Sequence, residues 1–350
     1  MATFITYPSG NVWTSAIKDV ALQTSSSSVT IEVTAGEVSL FSESYTPSSG
    51  QFVFYGLDEI VETYMRDKRL AILKCSIKAT ASDGNAESQF TAFYCSRAMG
   101  ASVDEWIQKA FLTPASFATL ALDSPFSLSL AASSSDTTFH INGVAENADG
   151  DKLPFNFSDS IAAVAAGTVE LRILGVSPQK VLETVSSQGF VRLLAYSVVA
   201  GGRSFSVFVD NIHRESCYTF IYRNMFNVRE TLRLCGVVDC NMALERGKAV
   251  IGGRTVVYDV TAGRTYELTT APLRRSEAVM LEQLQQSYDV TDINGFSVIL
   301  TDDNYEYDTD LTTMKSVKLA WRYADNRVVD DTQLPDSSGI FTEEFDSRFT

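Results

Sequence analysis

Histidine is nearly absent: His140 and His213 are the only two in 350 residues, and they fall in different parts of the chain. A Ser-His-Asp or Cys-His arrangement is therefore hard to assemble, because each needs an imidazole beside its nucleophile. His140 lies in "TTFHING", where strand alternation makes it a face residue. Nor does the sequence contain G-x-S-x-G, a Walker loop, H-E-x-x-H or G-x-G-x-x-G, so hydrolase, nucleotide and zinc-protease chemistry have no motif to rest on. No uninterrupted apolar run approaches the roughly 18 residues of a membrane span. The opening "MATFITYPSGNVW" has neither the basic nor the apolar region of an export signal. The expectation is a chain neither inserted in a membrane nor exported by that route. Basic residues are in deficit as well. The 28 Lys and Arg stand against 43 Asp and Glu, for a net charge of −15, which repels phosphate backbones and anionic headgroups. No nucleic-acid partner is expected.

Cysteine is sparse and odd in number: Cys75, Cys95, Cys217, Cys235 and Cys240. None has close metal spacing, since Cys235 and Cys240 have no matching pair elsewhere. Reduced, buried thiols in strands are the expectation, with Cys75 and Cys95, on neighbouring predicted strands, able to pair in an oxidising medium.

What is present is alternation. With 45% hydrophobic residues the chain is long enough for two or three cores. "SVTIEV", "QFVFYG", "LAILKCSIKA" and "SQFTAFYC" read as strands, with Asp83-Gly84 supplying a hairpin turn. A second series begins at "SPFSLSL" and passes through "TTFHINGVA" and "KLPFNF". The fold expected is mainly β: tandem antiparallel β-sandwich domains of the Ig/FN3 kind with short helices, then a β-rich C-terminal domain containing one amphipathic helix. The divisions are an N-terminal sandwich over 1–98, a connector over 99–123, a second sandwich over 124–214, the C-terminal domain over 215–327 and an acidic tail over 328–350. The connector has helical spacing through Val103, Trp106, Ile107 and Phe111, closed by Pro114.

One short helix interrupts each sandwich. In "YGLDEIVETYM" the residues Leu57, Ile60, Val61 and Tyr64 share a helical face, and "LRILGVSPQKVLETV" repeats the plan, with Gly56 and Gly175 lying 119 residues apart. Asp58 and Ser177 start the two helices, and Pro178 suits a first helical position. Later strands correspond too, so the two sandwiches read as a duplicated domain. The helix would carry the chain from one sheet to the other and cap the core.

Further on, strands are expected at Tyr218 to Tyr222 and Glu230 to Val238. "GRTVVYDV" and "GRTYELTT" follow, separated by a turn at Ala262-Gly263-Arg264. Gly201-Gly202 and Gly252-Gly253 read as hairpin turns rather than anion loops. In "PLRRSEAVMLEQLQQSYDV", the helical face is Ala278, Leu281, Leu284 and Gln285.

Candidate chemistry is limited to "TDDNYEYDTD". There Asp302, Asn304, Glu306 and Asp308 would project oxygens to one side of an extended chain, ligands of the kind calcium takes. The central glycine and terminal Glu of an EF-hand loop are missing, so a solvated loop is the expectation. Tyr45, Tyr305 and Tyr307 could stack on sugar rings, although strand aromatics usually pack in cores. No cofactor is called for.

"YTFIYRNMFNVRETLRLCG" (Tyr218 to Gly236), "LRRSEAVMLEQLQQSYDV", "FSVILTDDNYEY" and "VKLAWRYADN" carry a resemblance. An aromatic strand runs into Asn224 and Phe226, Glu230-Thr231 opens the next strand, and a Leu-rich helix ends at Ser287. Over about 217 to 327 the chain resembles virion or tail-associated structural proteins of phages and prophages of Bacteroidetes. The resemblance implies a non-enzymatic tail, baseplate or fibre-attachment subunit of the virion tail, assembled in the bacterial host cytoplasm. Its partners would be other virion or tail proteins and further copies of itself, as a homo-oligomer, with a host-surface glycan as a further ligand. It implies no catalytic residue. A surface adhesin or pilus-like protein, or a carbohydrate-binding module, is the alternative.

Overall fold

Two stretches of the chain follow one strand order. In a computed structural model, whose described residues are 2–212, 216–301 and 316–325, the first stretch comprises β1 (Thr3–Thr6), β2 (Gly10–Trp13), β3 (Val20–Gln23), β4 (Val29–Ala35), β5 (Val38–Tyr45), β6 (Gln51–Phe54), α1 (Leu57–Asp67), β7 (Ile72–Ala81) and β8 (Gly84–Phe93). After α2 (Val103–Lys109), the second comprises β9 (Phe117–Ala121), β10 (Ser127–Ala132), β11 (Thr138–Asn147), β12 (Lys152–Ser160), β13 (Glu170–Gly175), α3 (Pro178–Ser186), β14 (Phe190–Ala200) and β15 (Arg203–Asp210). The large sheets are ordered β2-β8-β7-β4-β5 and β9-β15-β14-β11-β12. Strand for strand they correspond. In each, the first strand runs parallel to its neighbour, Gly10 beside Phe90 and Phe117 beside Ser206.

Against the first large sheet lies β1-β3-β6, and against the second the pair β10-β13. Alternate residues of both layers meet between them: Val20, Leu22 and Phe54 face Val29, Ile31, Ile77 and Ala79 in the first sandwich, as two apolar sheet faces must. The fold is thus mainly β, with tandem sandwiches. α1 links β6 of the small sheet to β7 of the large one, and α3 links β13 to β14 in the same way. Leu57, Val61 and Met65 are the buried stripe of α1, a register one step beyond the expected Ile60 and Tyr64. Gly56, not Asp58, is its N-cap, at φ +78°, a conformation that favours glycine. Asp58 and Glu59 occupy the first turn, where the helix dipole favours acids.

The third part contains β16 (Cys217–Arg223), β17 (Arg229–Ile251), β18 (Arg254–Thr270), α4 (Arg275–Gln285), β19 (Val290–Asp292), β20 (Val298–Leu300) and β21 (Lys318–Tyr323), in one sheet ordered β19-β16-β17-β18-β21-β20. Trp321 is its centre, stacked on Tyr266 at 5.5 Å with Tyr218 and Phe220 edge-on. α4 buries Met280, Leu281 and Leu284 rather than Ala278 and Gln285. Its other side reaches the second sandwich: Ser276 Oγ donates to the Phe117 carbonyl at 2.9 Å, and Thr119 Oγ1 to Glu277 Oε1 at 2.7 Å.

Four further expectations need correction. Phe117–Ala121, placed in the connector, is a strand of the second sandwich, because its amphipathic run pairs with β15. Ala262-Gly263-Arg264 is no turn: the three residues pair with Leu244, Ala243 and Met242 inside one continuous ladder, and the turn is at Gly252-Gly253 alone, where both φ values are positive. The strand expected from Glu230 to Val238 accordingly extends to Ile251. Finally, Cys217 and Cys235 form a disulfide, being register partners across β16 and β17. Cys75 and Cys95 are free and buried, and Cys240 is free and exposed.

Candidate functional site

All three parts converge on the turn between β16 and β17, the residues "NMFNV" from Asn224 to Val228. The turn is set locally: Asn224 Oδ1 accepts from Phe226 N at 2.9 Å, Asn227 N donates to the Asn224 carbonyl at 2.9 Å, and Asn227 takes φ 59°, which asparagine tolerates better than most. Phe226 is thereby driven between Trp13, at 5.6 Å, and Trp106, at 5.4 Å. Around it gather Phe93 of the first sandwich, Ile107 and Leu112 of the connector, and Ala131 of the second sandwich. Asn227 Nδ2 donates to the carbonyls of Met65 and Leu70 at 2.9 and 3.0 Å, joining Leu70 N on the Met65 carbonyl and tying the chain just past the end of α1 to this turn.

Behind the turn lies a buried carboxylate. Glu230 accepts from Thr113 Oγ1, from Tyr222 Oη at 3.1 Å and from Asn224 Nδ2 at 3.2 Å. The same Asn224 amide donates to the Leu112 carbonyl at 2.8 Å. Burial pushes the Glu230 carboxyl above the usual range, and its three donors only partly oppose this. Burial, with Glu230 alongside, also holds the Tyr222 phenol well above its ordinary value. The network ties the connector to the third part.

At the mouth of this junction is a cleft of about 520 Å³ lined by Glu62, Arg66, Arg69, Tyr94, Arg223 and Tyr288 among others. Its cations are matched: Arg69 and Arg223 approach Asp289 at 3.4 and 3.1 Å. Burial pushes the Tyr94 phenol up to about 12 and the nearby Cys95 thiol up to about 11. Such groups keep their protons near neutral pH, and Cys95 Sγ donates to the Arg97 carbonyl at 3.2 Å. What the arrangement does is hold parts of the chain together.

The second feature is an arm. Past Tyr266, β18 loses its β21 neighbour, and past Cys235, β17 loses β16. Among the described residues, from there to the Gly252-Gly253 turn the two strands pair only with each other. Residues Asn241 to Thr265 thus form a two-stranded ribbon, about 40 Å long at the usual rise per residue. None of the residues from Asp239 to Thr261 is buried. Its apolar side chains stand in solvent: Val250 is 72% exposed, Tyr258 70% and Ile251 63%. A lone ribbon of this kind is marginal in water.

Asp302, Asn304, Glu306 and Asp308 lie outside the described residues, as do Tyr305, Tyr307, His213 and the 328–350 segment. Among the described residues no cluster of three His, Cys, Asp or Glu could hold a metal ion. His140 is exposed on β11, its Nδ1 2.7 Å from Ser158 Oγ. Tyr45 packs on Phe52 at 4.7 Å. The arm was readable only as unbroken alternation through "TAGRTYELTT", where glycine suggested a stop.

No protein-family model matches the chain, and no curated protein matches it either. Among solved structures, a titin fragment overlaps 60% of this chain and 99% of its own at 8% identity, with a TM-score of 0.23. A chimeric titin Z1Z2 bearing a decorin peptide overlaps 60% and 97% at 13% identity, with a TM-score of 0.17. The calcium-binding domain CBD12 of CALX1.1 overlaps 60% and 100% at 11% identity, with a TM-score of 0.19. Overlaps of this quality carry no functional argument.

Proposed function

We propose that the chain is a non-enzymatic structural subunit of a phage or prophage tail or virion, joined to neighbouring proteins through its surface. The observation that carries this reading is the exposed arm on a body whose own parts are locked together. Sandwiches fixed by the Phe226 junction make a stiff spacer, and the ribbon offers apolar and backbone contacts beyond it. The resemblance of the third part to virion and tail-associated proteins supports the same reading. Mass spectrometry of purified particles from the host tests it: the chain is expected among the particle proteins in fixed stoichiometry, and its absence from particles containing the neighbouring gene products would refute the assignment. Assays on host-surface polysaccharide are expected to show no turnover.

A further inference from the structure

The arm is not the same on both sides. Along β17 alternate residues face one way, so Met242, Leu244, Arg246, Lys248 and Val250 share a face with their partners Arg264, Ala262, Val260, Val257 and Thr255. The opposite face carries Ala243, Glu245, Gly247, Ala249 and Ile251 with partners Gly263, Thr261, Asp259, Val256 and Arg254, so its one base, Arg254, sits at the tip, and the Tyr258 ring lies over Gly247. A bulge at Gly247/Lys248 leaves Tyr258 without a partner. One face is therefore apolar and basic with no acid on it, and both acids of the arm lie on the other. Residues 241–265 hold Arg246, Lys248, Arg254 and Arg264 against Glu245 and Asp259, a surplus of two positive charges, so the rest of the chain carries −17 of a net −15, with −9 of it on the described residues.

We infer that the apolar–basic face of the arm docks on the acidic body of a second copy of this chain. This rests on the assembly reading above and names its partner. Charge complementarity selects the copy: a cationic projection on an anionic body is repelled by neighbouring arms and attracted by neighbouring bodies. An anionic lipid surface would attract the arm but repel the body behind it. Area agrees. One ribbon face about 40 Å by about 10 Å covers about 400 Å², and reciprocal exchange of two arms, counting both receiving surfaces, covers about 1,600 Å², the size of a stable specific interface.

Sedimentation velocity of the full chain tests this, at low and high salt and over a range of concentrations. Wild type is expected to self-associate, more weakly in high salt. Arg246→Glu with Lys248→Glu should weaken association by at least tenfold, whereas Asn241→Glu with Ala249→Glu, on the opposite face, should change it by less than about threefold. Circular dichroism of each variant confirms the fold. A wild type that stays monomeric throughout, or two pairs of variants with equal effect, overturns the inference. Arm-dependent co-sedimentation with phosphatidylglycerol vesicles in place of self-association would overturn it too. Particle composition is read separately, so this inference can fail while the tail assignment stands.

Discussion

Phe226→Ala is the sharpest perturbation of the body. The ring is 1% exposed and touches side chains contributed by every part of the chain. Truncating a buried Phe costs about 3–5 kcal/mol through lost transfer energy and residual cavity, and each aromatic pair adds about 0.5–1.5 kcal/mol within that total. Trp13 and Trp106 cannot close the gap, because Trp13 Nε1 is tied to the Ala101 carbonyl at 2.9 Å and Trp106 Nε1 to the Phe111 carbonyl at 3.2 Å. We therefore expect a loss of about 4 kcal/mol, a large part of the stability of an ordinary domain. Since the ring lies between parts rather than within one, the loss should fall on their coupling. Urea unfolding followed by tryptophan fluorescence reads this directly, since two of the three tryptophans flank the ring and Trp321 reports the third part. The expected result is separation of one transition into two, with altered native emission. A loss below about 1 kcal/mol with a single unchanged transition would refute the claim that this ring couples the parts.

Other perturbations are as specific. Glu230 has a carboxyl raised by burial, so the folded state binds a proton more tightly than the unfolded one. Stability from this group is full below its ordinary value of 4.5 and falls as pH rises through the raised folded value. Glu230→Gln should flatten that fall in urea midpoints measured across pH, and an unchanged slope would assign it elsewhere. Gly236→Ala should cost about 3 kcal/mol, since a Cβ there would lie 2.1 Å from the Thr269 carbonyl oxygen; a melting temperature within error of wild type would count against the packing. Paired Cys217→Ser and Cys235→Ser should lose about 3 kcal/mol, the loop-closure value for residues 18 apart, and wild type in reductant should show the same loss by calorimetry.

Sheet and helix identities were legible because period-2 and period-3.6 patterns are local. The repeat of Gly56 and Gly175 could be read because both helices must leave one sheet and enter another. The Cys217–Cys235 bond was not legible, since it depends on the β16/β17 register, and the two thiols become partners only when "NMFNV" closes as a tight turn. Glu230 was equally hidden. In sequence it is one of 43 acids, and its three donors come from positions 6, 8 and 117 residues away. The arm misled for a different reason: Gly263 reads as a turn residue, but it pairs with Ala243 in a continuous ladder, where even an added Cβ would meet nothing within 4 Å, so neither a turn nor close packing is what places glycine there.

One strand joins the two features of this protein. β17 starts in the junction, where Glu230 is held by its three donors, passes the Cys217–Cys235 bond, clears Gly236 where backbone crowds the chain, and continues into the arm. A load applied to the ribbon therefore does not meet a flexible linker. It passes along paired backbone into β16 through the covalent bond, and from the turn at Phe226 into both sandwiches. The solvated hairpin is thereby rooted in the buried junction. On the proposed assembly reading, that arrangement suits an arm that docks on a neighbour while the body behind it stays fixed.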